Sequence, residues 1–342
     1  MRWLLVLLVL CCSACGEPEK AAYQEQGYVF GTLVEVSIYG AEEPVARAAA
    51  ASVMGEFQRL HQLLHAWQPS PLSELNAALA QGKSMAVPEE LVRLLQDAAA
   101  LSAQSGGLFN PAIGGLIQRW GFQSDEFKPE LPDPAAIAAL VKAAPQMSDL
   151  HFDGLRVSSA NPALRLDLGG YAKGYALDRA AELLRAQGIR NALINIGGNV
   201  LALGQHGERA WRVGIRNPRE ALPVATVELR DGEAIGTSGD YQRYFEVGGQ
   251  RYCHLIDPRS GYPATGVQAV TILTHGARAG VLSDASSKPL FMNGVAGWRA
   301  AAQQMNLPEA MLIDAAGRVH LTAAMQKRLE FADKKMPRTV EP

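Results

Sequence analysis

Between residues 231 and 294 the chain alternates short apolar runs with turns rich in glycine and polar residues. Runs of this kind between such turns predict short strands joined by tight connections. Folded scaffolds commonly carry their functional side chains at strand ends and in turns. In this stretch those side chains are Thr237, Ser238, Asp240, His254, Asp257 and Asp284. The stretch is therefore the first candidate for a functional site.

Helical and strand patterns alternate irregularly along the rest of the chain. Apolar residues recur at helical spacing over 42–65, 88–104, 134–143 and 172–187, and a further helix is expected from about residue 277. Strands are predicted over 33–39, 155–157, 164–168, 192–196, 200–203, 211–215, 224–229, 242–246, 251–256 and 268–274. This irregular order with many hairpins predicts an α+β fold, with antiparallel or mixed sheets and flanking helices, rather than a doubly wound parallel sheet.

The composition is typical of a globular protein with a substantial core. Hydrophobic residues make up 48% of the 342 residues and charged residues make up 19%. The formal net charge is −2 at pH 7, which does not favour a surface for polyanions. Nucleic acid is therefore not an expected partner.

Residues 1–14 have the pattern of a secretory signal, with an arginine, a short apolar run and then small residues. The run is shorter than the roughly 20 apolar residues of a membrane-spanning helix. The ending Ser13-Ala14-Cys15 resembles that of a bacterial lipoprotein signal. It predicts that Cys15 is acylated and anchors the chain to the membrane without spanning it. A plain secreted protein is the alternative.

The remaining segments have simple expected roles. Residues 15–26 are polar and are expected to form a tether, residues 27–330 a single domain, and residues 331–342 a charged tail that is ordered only in part. Cys253 is the one cysteine outside the signal region. Acylation of Cys15 would therefore leave no pair for an intramolecular disulfide.

A strand, a glycine turn and a helix start are predicted in sequence over 166–175. Unpaired backbone N–H groups at such a helix start can hold phosphate, and Lys173 would add positive charge. A tight turn that needs glycine for positive φ, with Lys173 on a solvated face, explains the same residues. The segment lacks the spacing of a Walker loop or of a dinucleotide-binding fingerprint. Gly197-Gly198 predicts a hairpin.

His254 and Asp284 are candidates for proton transfer and for cation binding. On a strand over 251–256 adjacent side chains point to opposite faces, so Cys253 and His254 are not expected to form a nucleophile pair. His254 is a candidate general base because its pKa is ordinarily near neutral, although a lone histidine is more often a packed or surface residue. Asp284 is expected to open a helix, either as an N-cap or, together with Ser286 and Ser287, as a ligand for a hard cation such as Mg²⁺.

Several short motifs recur in an order and spacing typical of one family. They lie at 30–32, 70–76, 105–111, 120–122, 195–199, 237–241 and 283–285, together with Asp167-Leu168-Gly169-Gly170-Tyr171-Ala172-Lys173-Gly174-Tyr175 and His254-Leu255-Ile256-Asp257-Pro258-Arg259-Ser260-Gly261. Together they resemble the ApbE family of periplasmic flavin-trafficking lipoproteins, the FAD:protein FMN transferases. The resemblance runs through most of the chain.

The resemblance implies that the protein binds FAD and, with Mg²⁺, transfers FMN to a Ser or Thr hydroxyl of a membrane redox protein, releasing AMP. The acceptor would carry a Ser/Thr-Gly-Ala-Ser/Thr segment, and the enzyme would lie on the periplasmic side of a bacterial membrane. His254 matches the base that activates the acceptor hydroxyl. Trp67 matches an aromatic residue that stacks on the flavin or adenine ring. The other positions that match FAD contacts are Phe30, Phe109, Asn110, Asp167, Lys173 and Ile256.

The metal site implied by the resemblance differs at one position. The family binds its ion through the Asp at 284, a backbone carbonyl near Gly170 and Ala172, and a Thr hydroxyl where this chain has Lys288. A protonated amine does not ligate a metal. Either Lys288 turns away and Ser287 or water completes the site, or Lys288 lies beside Asp284 and itself neutralises the diphosphate. We favour the second arrangement because a fixed ammonium and Mg²⁺ would repel each other.

Two other functions fit the same motifs. With water in place of the acceptor hydroxyl, the protein would be an FAD pyrophosphatase that releases FMN and AMP. A protein that binds FAD without catalysis is the third possibility. The lysine at 288 favours it, whereas the presence of His254 and Asp284 argues against it.

Overall fold

The computed structural model describes residues 22–124 and 126–341, so the predicted signal, Cys15 and the first part of the tether lie outside the described residues. The helices are α1 (Glu43–Leu64), α2 (Pro71–Ala80), α3 (Glu89–Gln104), α4 (Gly114–Arg119), α5 (Pro134–Ala143), α6 (Ala172–Ala186), α7 (Ala279–Ala285), α8 (Ser287–Gln304) and α9 (Ala323–Gln326), with a 3₁₀ turn at Met147–Asp149.

The strands are mostly short and many are joined as hairpins. They are β1 (Tyr23–Val29), β2 (Thr32–Ile38), β3 (Met85–Ala86), β4 (Leu150–Asp153), β5 (Arg156–Ser159), β6 (Ala192–Ile196), β7 (Asn199–Leu203), β8 (Trp211–Arg216), β9 (Pro223–Leu229), β10 (Glu233–Gly239), β11 (Tyr244–Val247), β12 (Gln250–Cys253), β13 (Val267–His275), β14 (Ala310–Asp314), β15 (Val319–Thr322), β16 (Leu329–Phe331) and β17 (Arg338–Glu341).

A nine-stranded sheet organises the described residues, in the order β1-β2-β6-β7-β10-β13-β14-β15-β17. Neighbouring strands are antiparallel except β15 and β17, which are parallel. Alternate side chains of β13 enter two different cores: Ile272 packs with the helices, whereas Leu273 packs with the small sheet β16-β9-β8. Helices therefore cover one face of the main sheet and a smaller sheet covers part of the other.

Local sequence signals define several helix ends. Ser70 and Ser73 form a reciprocal capping box at the start of α2, with each side chain 2.9 Å from the other residue's backbone nitrogen. Asp133 caps α5 through an N–H of Ala135 at 3.0 Å, and Pro134 takes the first helical position. These ends agree with the predicted helix over 134–143.

Helices α6 and α7 cross with their backbones in direct contact. A Cβ atom added at Gly174 would lie 2.3 Å from the carbonyl oxygen of Gly280, and one at Gly280 would lie 2.3 Å from that of Gly174. Asp178 accepts hydrogen bonds from the N–H groups of Gly280 at 2.7 Å and Val281 at 2.9 Å. The Asp178 carboxylate of α6 therefore satisfies the first backbone N–H groups of α7. The end of α7 lies against the start of α6.

Residues 164–168 do not form the predicted strand. Apart from an isolated bridge between Ile113 and Arg165, this segment has no strand pairing in the described part of the chain. The side chain of Asn76 replaces a neighbouring strand: its Nδ2 donates to the Leu166 carbonyl at 2.9 Å, and its Oδ1 accepts from the Leu166 N–H at 2.7 Å. The alternating leucines of 164–168 are buried, but they belong to an extended loop and not to a strand.

Two predicted element ends near the site are also wrong. Asp284 does not open a helix but is the penultimate residue of α7, and α8 follows after Ser286 in nearly continuous helical conformation. The strand predicted over 251–256 ends at Cys253. His254 therefore lies just beyond the strand.

Both ends of the described chain join sheets. Strand β1 begins at Tyr23, within the segment expected to be a tether, and pairs with β2. Of the residues expected to form a charged tail, Phe331 pairs in β16 with β9, and β17 pairs with β15. None of the helices in residues 22–124 and 126–341 has the length and apolar character needed to cross a membrane.

Candidate active site

A cavity of about 650 Å³ opens between the main sheet, helices α6 to α8, and the loops that follow α1 and α3. Most residues predicted for the site line it: Phe30, Trp67, Phe109, Asn110, Asp167, Gly170, Ala172, Lys173, His254, Ile256 and Asp284. Lys288 lines it as well, whereas Ser287 does not. Residues that are far apart in the chain are thus brought to one place.

Phe30 lies at the tip of the β1–β2 hairpin. Its φ is 56° and that of Gly31 is 69°, as in a two-residue turn of type I′. Positive φ is costly for a bulky residue unless its surroundings hold it there. The ring packs edge-on against His61 at 5.6 Å and Phe57 at 6.2 Å between centroids. The turn therefore fixes an aromatic ring in the cavity wall.

Trp67 lies in the loop after α1. His65 Nδ1 accepts hydrogen bonds from the backbone N–H groups of Trp67 at 3.2 Å and Gln68 at 3.0 Å. The guanidinium of Arg165 lies 5.0 Å from the centroid of the Trp67 ring, a cation–π contact. These contacts hold the half-buried indole as an aromatic surface for a planar ligand.

Asn110 and Asp167 fix two of the loops that line the cavity. Asn110 Nδ2 donates to the Pro145 carbonyl at 2.9 Å, and its Oδ1 accepts from the Ala112 N–H at 3.0 Å. Asp167 Oδ1 accepts from the Gly169 N–H at 2.7 Å. Burial raises the pKa of Asp167 above its ordinary value. These side chains shape the wall through bonds to its backbone.

The ammonium groups of Lys173 and Lys288 flank the buried carboxylate of Asp284. Lys288 Nζ lies 2.5 Å from Asp284 Oδ1 and 2.6 Å from the Asp284 carbonyl oxygen. Lys173 Nζ lies 3.9 Å from Asp284 Oδ2, which also accepts the Gly174 N–H at 3.1 Å. Burial would raise the pKa of Asp284, but the two lysines outweigh it and lower that pKa to about 2. The cluster therefore carries one net positive charge.

The groups around Asp284 do not fit the divalent-cation site that the resemblance implies. The Lys288 ammonium already contacts two oxygens of Asp284, so Lys288 does not turn away; neutralisation of the diphosphate by Lys288 stays a prediction. The Ser287 hydroxyl donates to the Asp284 carbonyl at 2.7 Å and bonds the Ser238 hydroxyl at 2.7 Å, so it is not directed at a cavity ion. Among the described residues no three His, Cys, Asp or Glu side chains are grouped to hold a metal.

His254 lines the cavity with a defined tautomer. Its Nδ1 lies 3.3 Å from the carbonyl oxygen of Arg243. A carbonyl only accepts hydrogen bonds, so Nδ1 carries the proton and Nε2 has the lone pair. Burial and the positive charges of Arg243 and Lys173 lower the pKa of His254 to about 3. The ring is therefore neutral at pH 7, the form that can accept a proton from a hydroxyl.

Two polar residues of the cavity wall, Asn199 and Arg243, were not predicted. Asn199 is 3% exposed, and its Oδ1 accepts the Thr237 N–H at 3.3 Å. Its Nδ2 has no hydrogen-bond partner among the described residues, and a buried unsatisfied donor in a cavity wall indicates a polar ligand group. The available signals were the glycine hairpin before Asn199 and the Thr-Ser-Gly-Asp segment at the end of β10 before Arg243.

Two carboxylates of the 231–294 stretch do not line the cavity. Asp240 forms a two-bond ion pair with Arg219, at 2.8 and 2.6 Å. Asp257 pairs with Arg259 at 2.7 Å. Of the three carboxylates in that stretch singled out from the sequence, only Asp284 faces the candidate site.

Comparison with known sequences groups the chain with one family. A model of the ApbE family matches residues 30–312. The FAD:protein FMN transferase of Rhodobacter capsulatus is 45% identical over 313 residues, which cover 92% of this chain and 59% of that protein. The FAD:protein FMN transferase of Treponema pallidum is 33% identical, and the match covers 95% of each chain.

Solved structures have the same fold. The crystal structure of the ApbE protein of Thermotoga maritima superposes with a TM-score of 0.82 at 28% identity, covering 90% of this chain and 99% of that one. The apo form of the Pseudomonas stutzeri flavinyl transferase ApbE gives 0.77 at 29% identity, covering 90% and 96%. The predicted α+β fold and the predicted family are thus confirmed. By sequence and by fold, the chain belongs to the ApbE family.

Proposed function

We propose that the protein is an FAD:protein FMN transferase, which moves FMN from FAD to a hydroxyl group of an acceptor protein and releases AMP. Its relatives in Rhodobacter capsulatus and Treponema pallidum carry that name. The observation that carries the proposal is the combination, in one cavity, of a neutral imidazole at His254 with the ammonium groups of Lys173 and Lys288. Phosphoryl transfer requires a proton acceptor and positive charge near the phosphate.

The cavity provides a surface for each part of FAD. The diphosphate would bind at Lys173 and Lys288, beside the start of α6, where the helix dipole also favours an anion. One of the two ring systems would lie against Trp67 and Phe30. The Asn199 amide would donate to a polar group of the substrate.

Transfer then takes one step at the FMN-side phosphorus. The acceptor hydroxyl gives its proton to His254 Nε2 while its oxygen forms a bond to that phosphorus. The bond between the phosphorus and the bridging oxygen breaks, and AMP leaves with the bridging oxygen. The product is a phosphoester between the acceptor and FMN. Lys173 and Lys288 stabilise the charge that develops on the phosphoryl oxygens.

Substrate binding should also increase the basicity of His254. A pKa of about 3 makes His254 a weak proton acceptor in the free protein. Burial is the largest cause of that low pKa, and the positive charges of Arg243 and Lys173 lower it further. The diphosphate would bring negative charge close to these two residues, so we expect FAD binding to raise the pKa of His254. The base gains strength when the substrate is in place.

The proposal extends to the acceptor and the location. The acceptor would be a membrane redox protein with a Ser/Thr-Gly-Ala-Ser/Thr segment, and the enzyme would be anchored through acylated Cys15 on the periplasmic side of a bacterial membrane. The support is the pattern of residues 1–15 and the family resemblance. Fractionation of cells that express the wild type or Cys15→Ser tests the anchor. A wild type that stays out of the membrane fraction would refute it.

One assay tests the transfer. The protein is incubated with FAD and an acceptor domain that carries the Ser/Thr-Gly-Ala-Ser/Thr segment, and the intact mass of the acceptor and the free nucleotides are measured. We expect the acceptor to gain one FMN and AMP to appear. Free FMN beside an unmodified acceptor would instead identify a pyrophosphatase, and unchanged FAD a protein that only binds it.

A further inference from the structure

Lys288 has the position and contacts of a cation bound to Asp284. Its ammonium donates to Asp284 Oδ1 at 2.5 Å and to the Asp284 carbonyl oxygen at 2.6 Å. An ammonium has three N–H donors. Because Lys288 also lines the cavity, the third donor remains for a ligand.

Neighbouring groups enclose this ammonium. A Cβ atom added at Gly170 would lie 3.1 Å from Lys288 Cε and 3.7 Å from Nζ, so the lysine stem fills the space beside Gly170. The second carboxylate oxygen of Asp284 accepts the Gly174 N–H at 3.1 Å and has Lys173 Nζ at 3.9 Å. A divalent ion in contact with Asp284 would face two ammonium groups in a buried site, where repulsion is poorly screened.

We infer that Lys288 takes the place of a divalent cation, so that the protein binds the diphosphate of FAD and transfers FMN without a metal. This inference rests on the proposed function. The transfer step balances in atoms and charge without a metal ion. The diphosphate meets the net positive charge of Lys173, Lys288 and Asp284, the hydroxyl proton goes to His254, and AMP leaves with the bridging oxygen. The ammonium returns unchanged after each turnover.

Chelation of the full chain tests the inference through binding as well as activity. FAD affinity is measured by flavin fluorescence in the presence of EDTA or of Mg²⁺, and acceptor modification by intact mass. We expect both to agree within about twofold between the two conditions. Calorimetric titration with Mg²⁺ should give no binding heat with or without FAD.

Substitutions of Lys288, with one matched control, sharpen the test. Lys288→Thr removes the ammonium and supplies a hydroxyl, so FAD should bind about tenfold more weakly in EDTA and recover when Mg²⁺ is added. Lys83→Thr changes an exposed lysine that does not line the cavity, and it should behave as the wild type. If Lys288→Thr does not fold, Lys288→Met keeps the apolar stem and should bind FAD weakly with or without Mg²⁺.

The inference is overturned if chelation abolishes FAD binding by the wild type and Mg²⁺ restores it, or if calorimetry detects a Mg²⁺ site that FAD strengthens. Failure of this inference can be distinguished from failure of the proposed function. An acceptor that stays unmodified in both EDTA and Mg²⁺ refutes transfer, while metal-independent FAD binding in the same samples still supports the role of Lys288.

Discussion

In the proposed reaction the imidazole of His254 and the ammonium of Lys288 have separate roles. His254 is held by the Arg243 carbonyl so that Nε2 carries the lone pair. Lys288 is held by two oxygens of Asp284 and offers positive charge to the cavity. The Arg243 carbonyl sets the tautomer of His254, and the oxygens of Asp284 set the position of the Lys288 ammonium. Substitutions at the two positions should therefore affect different steps.

Replacing His254 should impair transfer and spare FAD binding. His254→Gln keeps a polar side chain but cannot accept a proton at pH 7, so the single-turnover rate of transfer should fall about 100-fold to 10,000-fold. FAD affinity, measured by flavin fluorescence, should change by no more than a few-fold. A variant that transfers FMN within about tenfold of the wild-type rate would show that His254 is not the base.

The low pKa of His254 also predicts a pH-dependent difference in stability. In the unfolded chain histidine binds a proton near pH 6.5, whereas folded His254 stays neutral until about pH 3. Between these values the unfolded state binds more protons, so stability falls as the pH falls. The His254→Gln variant does not lose stability in this way. At about pH 5 the free energy of unfolding of the wild type should have dropped relative to the variant by up to roughly 2 kcal/mol.

Urea unfolding of both proteins near pH 7.5 and near pH 5 measures that difference. His61, whose pKa is also lowered by burial, is present in both chains and cancels. An equal loss of stability in the two proteins would contradict the buried, neutral state of His254.

Among the elements, the crossing of α6 and α7 positions the charged cluster. Lys173 and Gly174 lie in the first turn of α6, and Asp284 lies near the end of α7. The two helices can approach this closely because Gly174 and Gly280 have no side chains. The separation of the helices therefore sets the distance between the Lys173 ammonium and the Asp284 carboxylate.

Gly174→Ala should disrupt this crossing. The added Cβ would lie 2.3 Å from the Gly280 carbonyl oxygen, so the helices must move apart, at a cost of about 1–3 kcal/mol in the free energy of unfolding. FAD affinity should fall because Lys173 and Asp284 shift. Gly55→Ala is the control, since it lies inside α1 with nothing within 4 Å of the added atom, and it should stabilise the protein by about 0.5–1 kcal/mol. Equal behaviour of the two variants would contradict the close crossing.

Elements with a strong local pattern were predictable, whereas those fixed by distant contacts were not. The β6–β7 hairpin and α1 follow from alternation, glycine punctuation and helical period. The predicted strand over 164–168 is wrong because the backbone of this segment bonds the Asn76 side chain and residues 111–114 instead of joining a sheet. The end of β12 before His254 likewise has no local marker.

The site itself was predictable mainly through the family resemblance. Motif matching indicated Phe30, Trp67, His254 and Asp284, all of which line the cavity. Asn199 was missed because its unsatisfied amide becomes visible only when burial and hydrogen bonds are known. Whether Lys288 faces Asp284 or turns away depends on side-chain packing, which the order of residues alone does not determine.

At the scale of the whole molecule, one continuous sheet connects the site to both ends of the described chain. Strand β17 covers the edge of β15, whose Val319 and Leu321 are fully buried. His320 lies between Asp314 at 3.2 Å and Glu341 at 3.5 Å, so the last strand also joins a charged cluster. The C-terminal residues therefore contribute to the stability of the sheet.

Deleting residues 332–342 should destabilise the protein without changing the site. The deletion exposes the β15 edge and removes its ladder of hydrogen bonds, so the free energy of unfolding should fall by about 1–3 kcal/mol. FAD affinity should stay within about twofold because none of these residues lines the cavity. Unfolding in urea and flavin fluorescence measure the two quantities. Unchanged stability would indicate a tail that does not pack on the sheet.

The stoichiometry of a single turnover in EDTA tests metal-independent FMN transfer most directly. The full chain, the acceptor domain and limiting FAD are mixed, and the flavinylated acceptor, AMP and free FMN are measured together. We expect one AMP for each acceptor that gains FMN, with no free FMN and no requirement for Mg²⁺. AMP matched by free FMN with an unmodified acceptor, or no reaction until Mg²⁺ is added, would contradict it.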